Sequence, residues 1–215
     1  MNNNVFNIDH PLISMFVLIS FLSVLPSMLV MFTSFTRVVI VLSFLRQAMG
    51  GQQIPPNVVV IGLSIFITLF VMTPTLDVVA KESFTPLMDK KITIGEALRR
   101  AEQPVKSFML KQTREKDVAL FLRLAKVDAP EKPMDLPIKI VVPAFAISEL
   151  KTAFEMGFLL YLPFIIIDMV VASVMLSMGM MMVPPVMISL PFKLLLFVLV
   201  DGWNLVVGTL VRSFQ

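Results

Sequence analysis

Charged residues divide the chain into two apolar blocks and one polar insert. Residues 81–139 hold 22 of the 33 Asp, Glu, Lys and Arg residues, so the other 156 positions carry only eleven charges. This pattern predicts an N-terminal apolar helical block over residues 1–80, and a C-terminal apolar block over residues 140–215. Between them, we expect the insert to form a separate, water-exposed helical unit.

The first apolar block predicts a membrane-spanning helix followed by a bent hairpin. Residues 11–36 contain no charge, and at about 1.5 Å per residue they cover a hydrocarbon core roughly 30 Å thick. Pro26 is expected to bend this helix, because proline lacks a backbone donor. Residues 58–73, which stop before Pro74, are short for a straight span, so we expect one arm of a bent hairpin after a turn over residues 50–57.

Basic residues give this block a predicted orientation. Arg37 and Arg46 flank residues 38–45 and belong on the cytoplasmic side by the positive-inside rule, which places the N-terminus and the insert outside. The insert's own net charge of +4 points weakly the other way, although long loops count less. A secretory signal peptide is disfavoured, since residues 1–9 contain no Lys or Arg.

The insert carries local signals for helices. Thr93 and Glu96 have capping-box spacing, so a helix is expected to begin there, and Pro104 suits the first turn of another. An apolar stripe with the i, i+3, i+4, i+7 spacing of a helix packed on one side is formed by Val118, Phe121, Leu122 and Ala125. Two interpretations stay open: a small helical cap, or a surface that docks other subunits.

Charges cut the second apolar block into uneven runs. Of the uncharged runs 156–167, 169–192 and 202–211, only the middle one, with 24 residues, is long enough to cross a membrane, and glycine and prolines interrupt its second half. We therefore expect broken helices. At membrane depth these survive only where protein or a water-filled passage covers them, so the block predicts an assembly or a conduit.

The charged residues within this block need partners, because an unpaired charge in such surroundings costs on the order of 3 kcal/mol. Ion pairs across helices or subunits are favoured, for example Glu149 with Lys193. A proton relay through Asp168 and Asp201 is the alternative, but no histidine chain or carboxylate cluster supports it. Two lone aspartates 33 positions apart are also weak evidence for an intramembrane aspartyl protease.

Methionines concentrate at one point of this block. Residues 177–187 contain five of the 17 methionines. Met180, Met181 and Met182 would point around a helix rather than along one face, and the following prolines prevent simple continuation, so a loop or break is expected. These side chains either fill an irregular core or, if several copies surround an axis, form a deformable constriction.

Composition excludes several classes of protein. Hydrophobic residues make up 57% and charged residues 15%, which excludes an ordinary cytosolic enzyme and favours a membrane protein. The net charge of +3 is too small and too scattered for a nucleic-acid-binding surface. The chain has no cysteine, one histidine (His10) and no P-loop sequence, so no catalytic residue, metal site or cofactor is predicted.

Several ordered motifs together resemble the FliP family of flagellar type III export-gate proteins, over nearly the whole chain. They lie at residues 33–37, 55–57, 108–115, 143–154, 162–168, 179–185, 191–193 and 200–203. The resemblance implies a helical subunit of a five-membered ring that assembles with FliQ-like and FliR-like subunits, and with other export-apparatus and basal-body proteins. It implies passage of unfolded flagellar proteins at the bacterial inner membrane, with a periplasmic insert.

The resemblance also implies roles for particular residues. Met180, Met181 and Met182 match a loop that gathers around the central pore as a gasket, and Glu149 and Lys193 match positions that pair to hold subunits together. It further implies helices that form bent hairpins and a complex largely above the membrane plane. The predicted fold class is therefore all-α, with bent and broken membrane-associated hairpins and a helical polar insert, assembling into a ring.

Other functions remain as alternatives. The virulence-secretion branch, SctR, shares the second block, but residues 33–37 and the insert motif favour the flagellar branch. Flagellar precursors usually carry a cleavable signal peptide, and none is obvious here. A small-solute or proton channel would need a polar, titratable lining, and a membrane enzyme would need a convergent catalytic set; neither is seen in the sequence.

Overall fold

The computed structural model describes residues 11–50, 55–180 and 182–215, and in these ranges the chain is helical without strands. The α-helices are α1 Pro11–Phe32, α2 Phe35–Ala48, α3 Asn57–Val79, α4 Thr85–Met88, α5 Ile94–Gln112, α6 Glu115–Ala125, α7 Ile138–Ser177, α8 Pro185–Leu199 and α9 Gly202–Arg212. A π-helical turn, Ala80–Phe84, joins α3 to α4, and a 3-10 turn, Pro133–Asp135, precedes α7.

The predicted all-α, membrane-associated class is confirmed. Two continuous helical stretches, Asn57–Met88 and Ile138–Ser177, are long and apolar enough to cross a membrane. Two bent pairs also pass together: the end of α1 (Pro26–Phe32) with α2, at an angle of 88°, and α8 with α9, at an angle of 65°. Bent helical pairs are therefore part of the fold, as expected.

The helix predicted over residues 11–36 ends earlier than expected, because α1 stops at Phe32 and the chain then turns sharply. Short polar side chains at the break donate hydrogen bonds to backbone carbonyls of the preceding helix. The Thr33 hydroxyl donates to the Leu29 carbonyl, and the Thr36 hydroxyl donates to the Val30 carbonyl at 2.7 Å. Such side chains compete with the helical backbone ladder, so the break falls here, beyond Pro26.

Charges and prolines interrupt fewer helices than expected. Pro74 lies inside α3, which continues through the π turn, and Pro104 lies inside α5 rather than at its start. Helix α7 runs unbroken for 40 residues through Pro143 and Pro163 and through several charges. The uncharged runs between charges therefore do not correspond to separate helices, because a charged side chain leaves the backbone hydrogen bonds of its own helix intact.

Two local predictions are confirmed. Thr93 caps α5, since its hydroxyl accepts from the Glu96 backbone N–H at 3.3 Å, although the Glu96 carboxylate bonds Arg100 instead of completing the box. The methionine segment does break the second block. Helix α7 ends at Ser177, Gly179 adopts a left-handed φ of 75°, and α8 begins only at Pro185. The turn predicted over residues 50–57 includes residues 51–54, which lie outside the described residues.

The main core surrounds α2, which packs between α3 and α7. Its buried members include Val38 and Val41 of α2, Val60 of α3, Ala153 of α7 and Leu210 of α9. Helices α2 and α7 approach closely at Gly157, where an added Cβ would lie 2.7 Å from the Phe44 ring. The absence of a side chain at Gly157 therefore allows this crossing.

A second core joins the insert to the start of α7. Its buried members are Met109, Leu122, Leu136, Ile140, Val141 and Phe145. In the predicted apolar stripe, Leu122 is buried and Val118 and Phe121 pack against the same cluster, whereas Ala125 is exposed. The stripe is thus largely an intramolecular surface, which favours the helical cap over a docking face, and the insert shares its core with α7.

Candidate functional site

Arg37 of α2 lies where several parts of the chain meet. We call the group formed by Arg37, Gln112, Glu149, Ser213 and Phe214 the Arg37 hub. Arg37 is 2% exposed and Glu149 is 0% exposed. The Arg37 Nε donates to Glu149 Oε2 at 2.9 Å, and Nη2 donates to Oε1, so the buried ion pair has two contacts.

The remaining guanidinium donors bind the insert and the C-terminal residues. Nη1 donates to the Ser213 carbonyl at 2.8 Å and to its hydroxyl at 3.0 Å, and Nη2 donates to Gln112 Oε1 at 3.1 Å. All five N–H groups that an arginine carries are therefore used. The Phe214 ring centroid lies 3.9 Å from the guanidinium carbon, and the Gln112 amide donates to the Phe214 carbonyl at 3.1 Å. One side chain thus connects α2, α5, α7 and the C-terminal residues.

A second polar group fixes the α5–α6 turn beside this hub. Ser148, the neighbour of Glu149 on α7, accepts from the Arg114 backbone N–H at 3.1 Å and donates to Asp117 Oδ2 at 2.6 Å. The Arg114 Nε donates to the same oxygen at 2.9 Å. Adjacent residues of α7 therefore hold both α2 and the insert.

The surroundings of Asp117 favour its ionised form. Burial raises the pKa of this carboxyl. The hydrogen bonds from Ser148 and Arg114, together with the positive charge of Arg114, lower the pKa by more than burial raises it. The net pKa of Asp117 lies below its ordinary value. Asp117 thus contributes stability above its ordinary pKa, and this contribution is lost as the pH falls through the lowered pKa.

A third polar group joins the α7–α8 hairpin to the C-terminal end of α2. Lys193 of α8, 2% exposed, places its Nζ 2.5 Å from Asp168 Oδ2 on α7 and 3.1 Å from the Ala48 carbonyl at the last turn of α2. Ser189 donates to the other Asp168 oxygen at 2.5 Å. A cation at a helix C-terminus is favourable, because the last carbonyls are partly negative.

Several charged residues of the second apolar block are paired, but not in the combination that the sequence suggested, which was Glu149 with Lys193. Glu149 pairs with Arg37, and Lys193 pairs with Asp168, so the two are not paired with each other within one chain. A Glu149–Lys193 pair between subunits stays a prediction. Asp168 is engaged by Lys193 and Ser189, whereas Asp201 is exposed at the α8–α9 bend with φ 51°. The two aspartates thus lie in different surroundings.

The methionine segment forms the tip of the α7–α8 hairpin. Met180 is 42% exposed and Met182 is 97% exposed, while Met181 lies outside the described residues. Below the tip, a groove of about 550 Å³ between α7 and α8 is lined by apolar side chains, among them Met175, Met178 and Met180. The described methionines are therefore available to contact something other than this chain's core.

Sequence reasoning missed the centre of the site. The sequence indicates Arg37 only as a cation that marks the cytoplasmic side, yet it is buried in α2 and paired with Glu149. An isolated charge in an apolar block needs partners, and this argument holds for Arg37 as well. It would have indicated Arg37 as a site residue. Gln112, Ser148 and Ser213 carry no comparable signal, since uncharged polar residues are common in helices.

Comparison with known proteins identifies relatives. The model of the FliP family matches residues 18–210. The chain is 58% identical over 202 residues to the flagellar biosynthetic protein FliP of Bacillus subtilis, covering 94% of this chain and 91% of that protein. It is 52% identical to the protein of the same name from Aquifex aeolicus, with 94% and 86% covered, and 54% identical to that of Caulobacter vibrioides, with 92% and 74% covered.

The lowered pKa of Asp117 predicts a pH-dependent contribution to stability. We expect Asp117→Asn to lower the free energy of unfolding at neutral pH, because it removes the carboxylate that accepts from Ser148 and Arg114. The difference between the wild type and the variant should shrink as the pH falls below about 4, because the carboxyl then takes up a proton first in the unfolded chain and, at still lower pH, in the folded protein. Thermal unfolding of the detergent-extracted protein followed by circular dichroism measures this. A difference that is constant or grows on acidification would contradict the assignment, and Asp128→Asn, at an exposed aspartate, is the control.

Proposed function

The chain belongs to the FliP family, and from this premise we propose that it is a pore-forming subunit of the flagellar type III protein export gate, passing unfolded flagellar proteins. The relatives that match it over most of its length are named flagellar biosynthetic proteins, which favours the flagellar over the virulence-secretion branch. We propose no catalytic role and no cofactor. The observation that carries the proposal is the exposed methionine tip on a hairpin whose two helices are joined by the Lys193–Asp168 ion pair.

Large exposed apolar side chains support assembly with other subunits. On α7, Phe158 is 58% exposed and Met169 is 67% exposed, and on α8, Val198 is 76% exposed. Large apolar side chains exposed to this degree need cover from lipid or from other protein. We propose a five-membered ring of this chain, completed by FliQ-like and FliR-like subunits and by other export-apparatus and basal-body proteins.

The difference in length among the helices also favours an assembly over a simple bundle in lipid. Helix α7 has 40 residues, about 60 Å at 1.5 Å per residue, which is twice the hydrocarbon thickness. Helices α8 and α9 have 15 and 11 residues and meet at a bend, so neither crosses a bilayer alone. We propose that the complex belongs to the bacterial inner membrane at the flagellar basal body, with the N-terminus and the insert on the periplasmic side.

The methionine tip is proposed to close the pore. Methionine is unbranched and polarizable, so its side chain adapts to irregular and changing neighbours. Met180, Met181 and Met182 from several copies would contact passing chains of variable shape while limiting leakage. The Lys193–Asp168 pair, in which Lys193 is buried and Asp168 half-buried, supports this role, because it joins α7 to α8 below the tip.

The proposed ring is tested by the native mass of the detergent-extracted complex. The chain is expressed with and without the FliQ-like and FliR-like subunits and measured by native mass spectrometry. We expect a mass of several copies that increases when those subunits are present, because the exposed apolar faces of α7 and α8 require cover. A stable monomer that ignores them would contradict the ring and leave the methionine tip without a pore to surround.

The proposed gasket is tested by deleting residues 180–182. We expect the deletion to increase leakage of small ions or solutes while the ring still assembles, because Met180 and Met182, the described residues of this segment, belong to neither buried core. Conductance across a bilayer containing the purified complex measures leakage, and native mass checks assembly. Deletion of residues 129–131, exposed in the insert apart from the half-buried Pro130, is the control. Unchanged leakage from an intact ring would overturn the gasket.

A further inference from the structure

A groove between α3 and α5 remains open on the surface of the chain, and we call it the Lys111 groove. It is lined by Val71 and Pro74 of α3, by Ser107 and Lys111 of α5 and by Phe214, and has a volume of about 470 Å³. It adjoins a second cavity of about 540 Å³ that shares Val71, Pro74 and Phe214. The groove is therefore deep enough to receive a large side chain.

The lining of this groove carries positive charge. Among the residues that line the part between α3 and α5, all of them described, Lys111 is the one charged side chain. Lys111 is exposed, and no ion pair to it is formed within the described part of the chain. The groove thus fits a partner that brings an aromatic or aliphatic side chain next to a carboxylate.

The chain itself presents that combination on α7. We call Phe154, Glu155 and Phe158 the Phe158 face. The two phenylalanines are 54% and 58% exposed, and the Glu155 side chain is 60% exposed. Glu155 contacts only Lys151, at 3.3 Å in an exposed i,i+4 pair, and such pairs contribute about 0.3–0.5 kcal/mol. Exchanging Lys151 for another cation therefore costs the Glu155 carboxylate little stabilisation.

The groove and the face lie at nearly the same level of the bundle. Phe214 in the groove packs on Arg37, which pairs with Glu149 of α7. Glu155 is six residues further along the same helix, about 9 Å at 1.5 Å per residue. A contact between two unlike patches joins copies head to tail, and it closes into a ring when there is little offset along the axis.

We propose that the Lys111 groove of one copy receives the Phe158 face of a second copy, with Phe158 beside Pro74 and Phe214 and the Glu155 carboxylate on Lys111. This inference rests on the proposed ring and names a contact within it. A second copy is favoured over lipid because acyl chains bring no carboxylate to Lys111. It is favoured over an unrelated chain because both complementary patches are already present and exposed on this chain.

Charge exchange tests the pairing. We expect Lys111→Glu and Glu155→Lys each to lower the ring fraction at fixed concentration by about tenfold or more, because each places like charges together in the contact. The double variant carries both reversed charges in every copy and should regain most of the ring. Lys132→Glu combined with Glu131→Lys, at exposed positions outside both patches, should leave the ring fraction unchanged. The readout is native mass.

A disulfide cross-link tests the proximity independently. The chain has no cysteine, so Ser107→Cys with Phe158→Cys introduces the two thiols under study alone. We expect mild oxidation to yield covalent multimers of this chain, while Ser107→Cys with Ser173→Cys, at another exposed position of α7, yields monomer. Circular dichroism of each variant checks that it is folded.

The results separate this inference from the proposed function. A ring of normal mass that is insensitive to both charge reversals and gives no cross-link overturns the contact while leaving the ring intact. A cross-link from Ser107→Cys to a different protein, or Lys111-dependent retention of anionic lipid in an unchanged ring, overturns it as well. A folded wild-type chain that stays monomeric overturns both the contact and the ring.

Discussion

The buried guanidinium of Arg37 imposes the constraint on which the rest of the structure depends. Moving a charge out of water costs several kcal/mol, and this cost is recovered only when the charge is paired and every N–H group is bonded. Glu149 supplies the opposite charge, and Gln112 and Ser213 supply the remaining acceptors. Because these groups come from distant parts of the sequence, α2, α5, α7 and the C-terminal residues must all reach their places together.

The contact between α2 and α7 also determines the position of the methionine tip. Lys193 binds both Asp168 of α7 and the last turn of α2, so α8 is held against the same two helices that the hub joins. The bundle has a base joined by the buried Arg37–Glu149 pair and the half-buried Lys193–Asp168 pair, and a tip whose described methionines are exposed. A gate that passes chains of variable shape needs this division, since the base must resist displacement while the tip adapts.

Much of the fold could be predicted because its signals are local. The Thr93 cap and the break after Ser177 follow from residues within one or two turns, and the helical class follows from composition. The ion pairs could not be predicted in detail because their partners are far apart. Arg37 and Glu149 are separated by 112 positions, and by sequence Glu149 suits Lys193 equally well. Pro74, Pro143 and Pro163 lie inside helices, because a proline removes one backbone hydrogen bond and the rest of a long helix keeps its own.

The central claim, that the Arg37–Glu149 pair stabilises the whole bundle, is tested most directly by a double-mutant cycle with Arg37→Met and Glu149→Met. Equilibrium unfolding in detergent gives the free energy of each variant. The account predicts that each single substitution costs about 3–5 kcal/mol, because it leaves a buried charge unpaired, and that the double variant costs much less than their sum. Single costs below about 1 kcal/mol, or strictly additive costs, would contradict it.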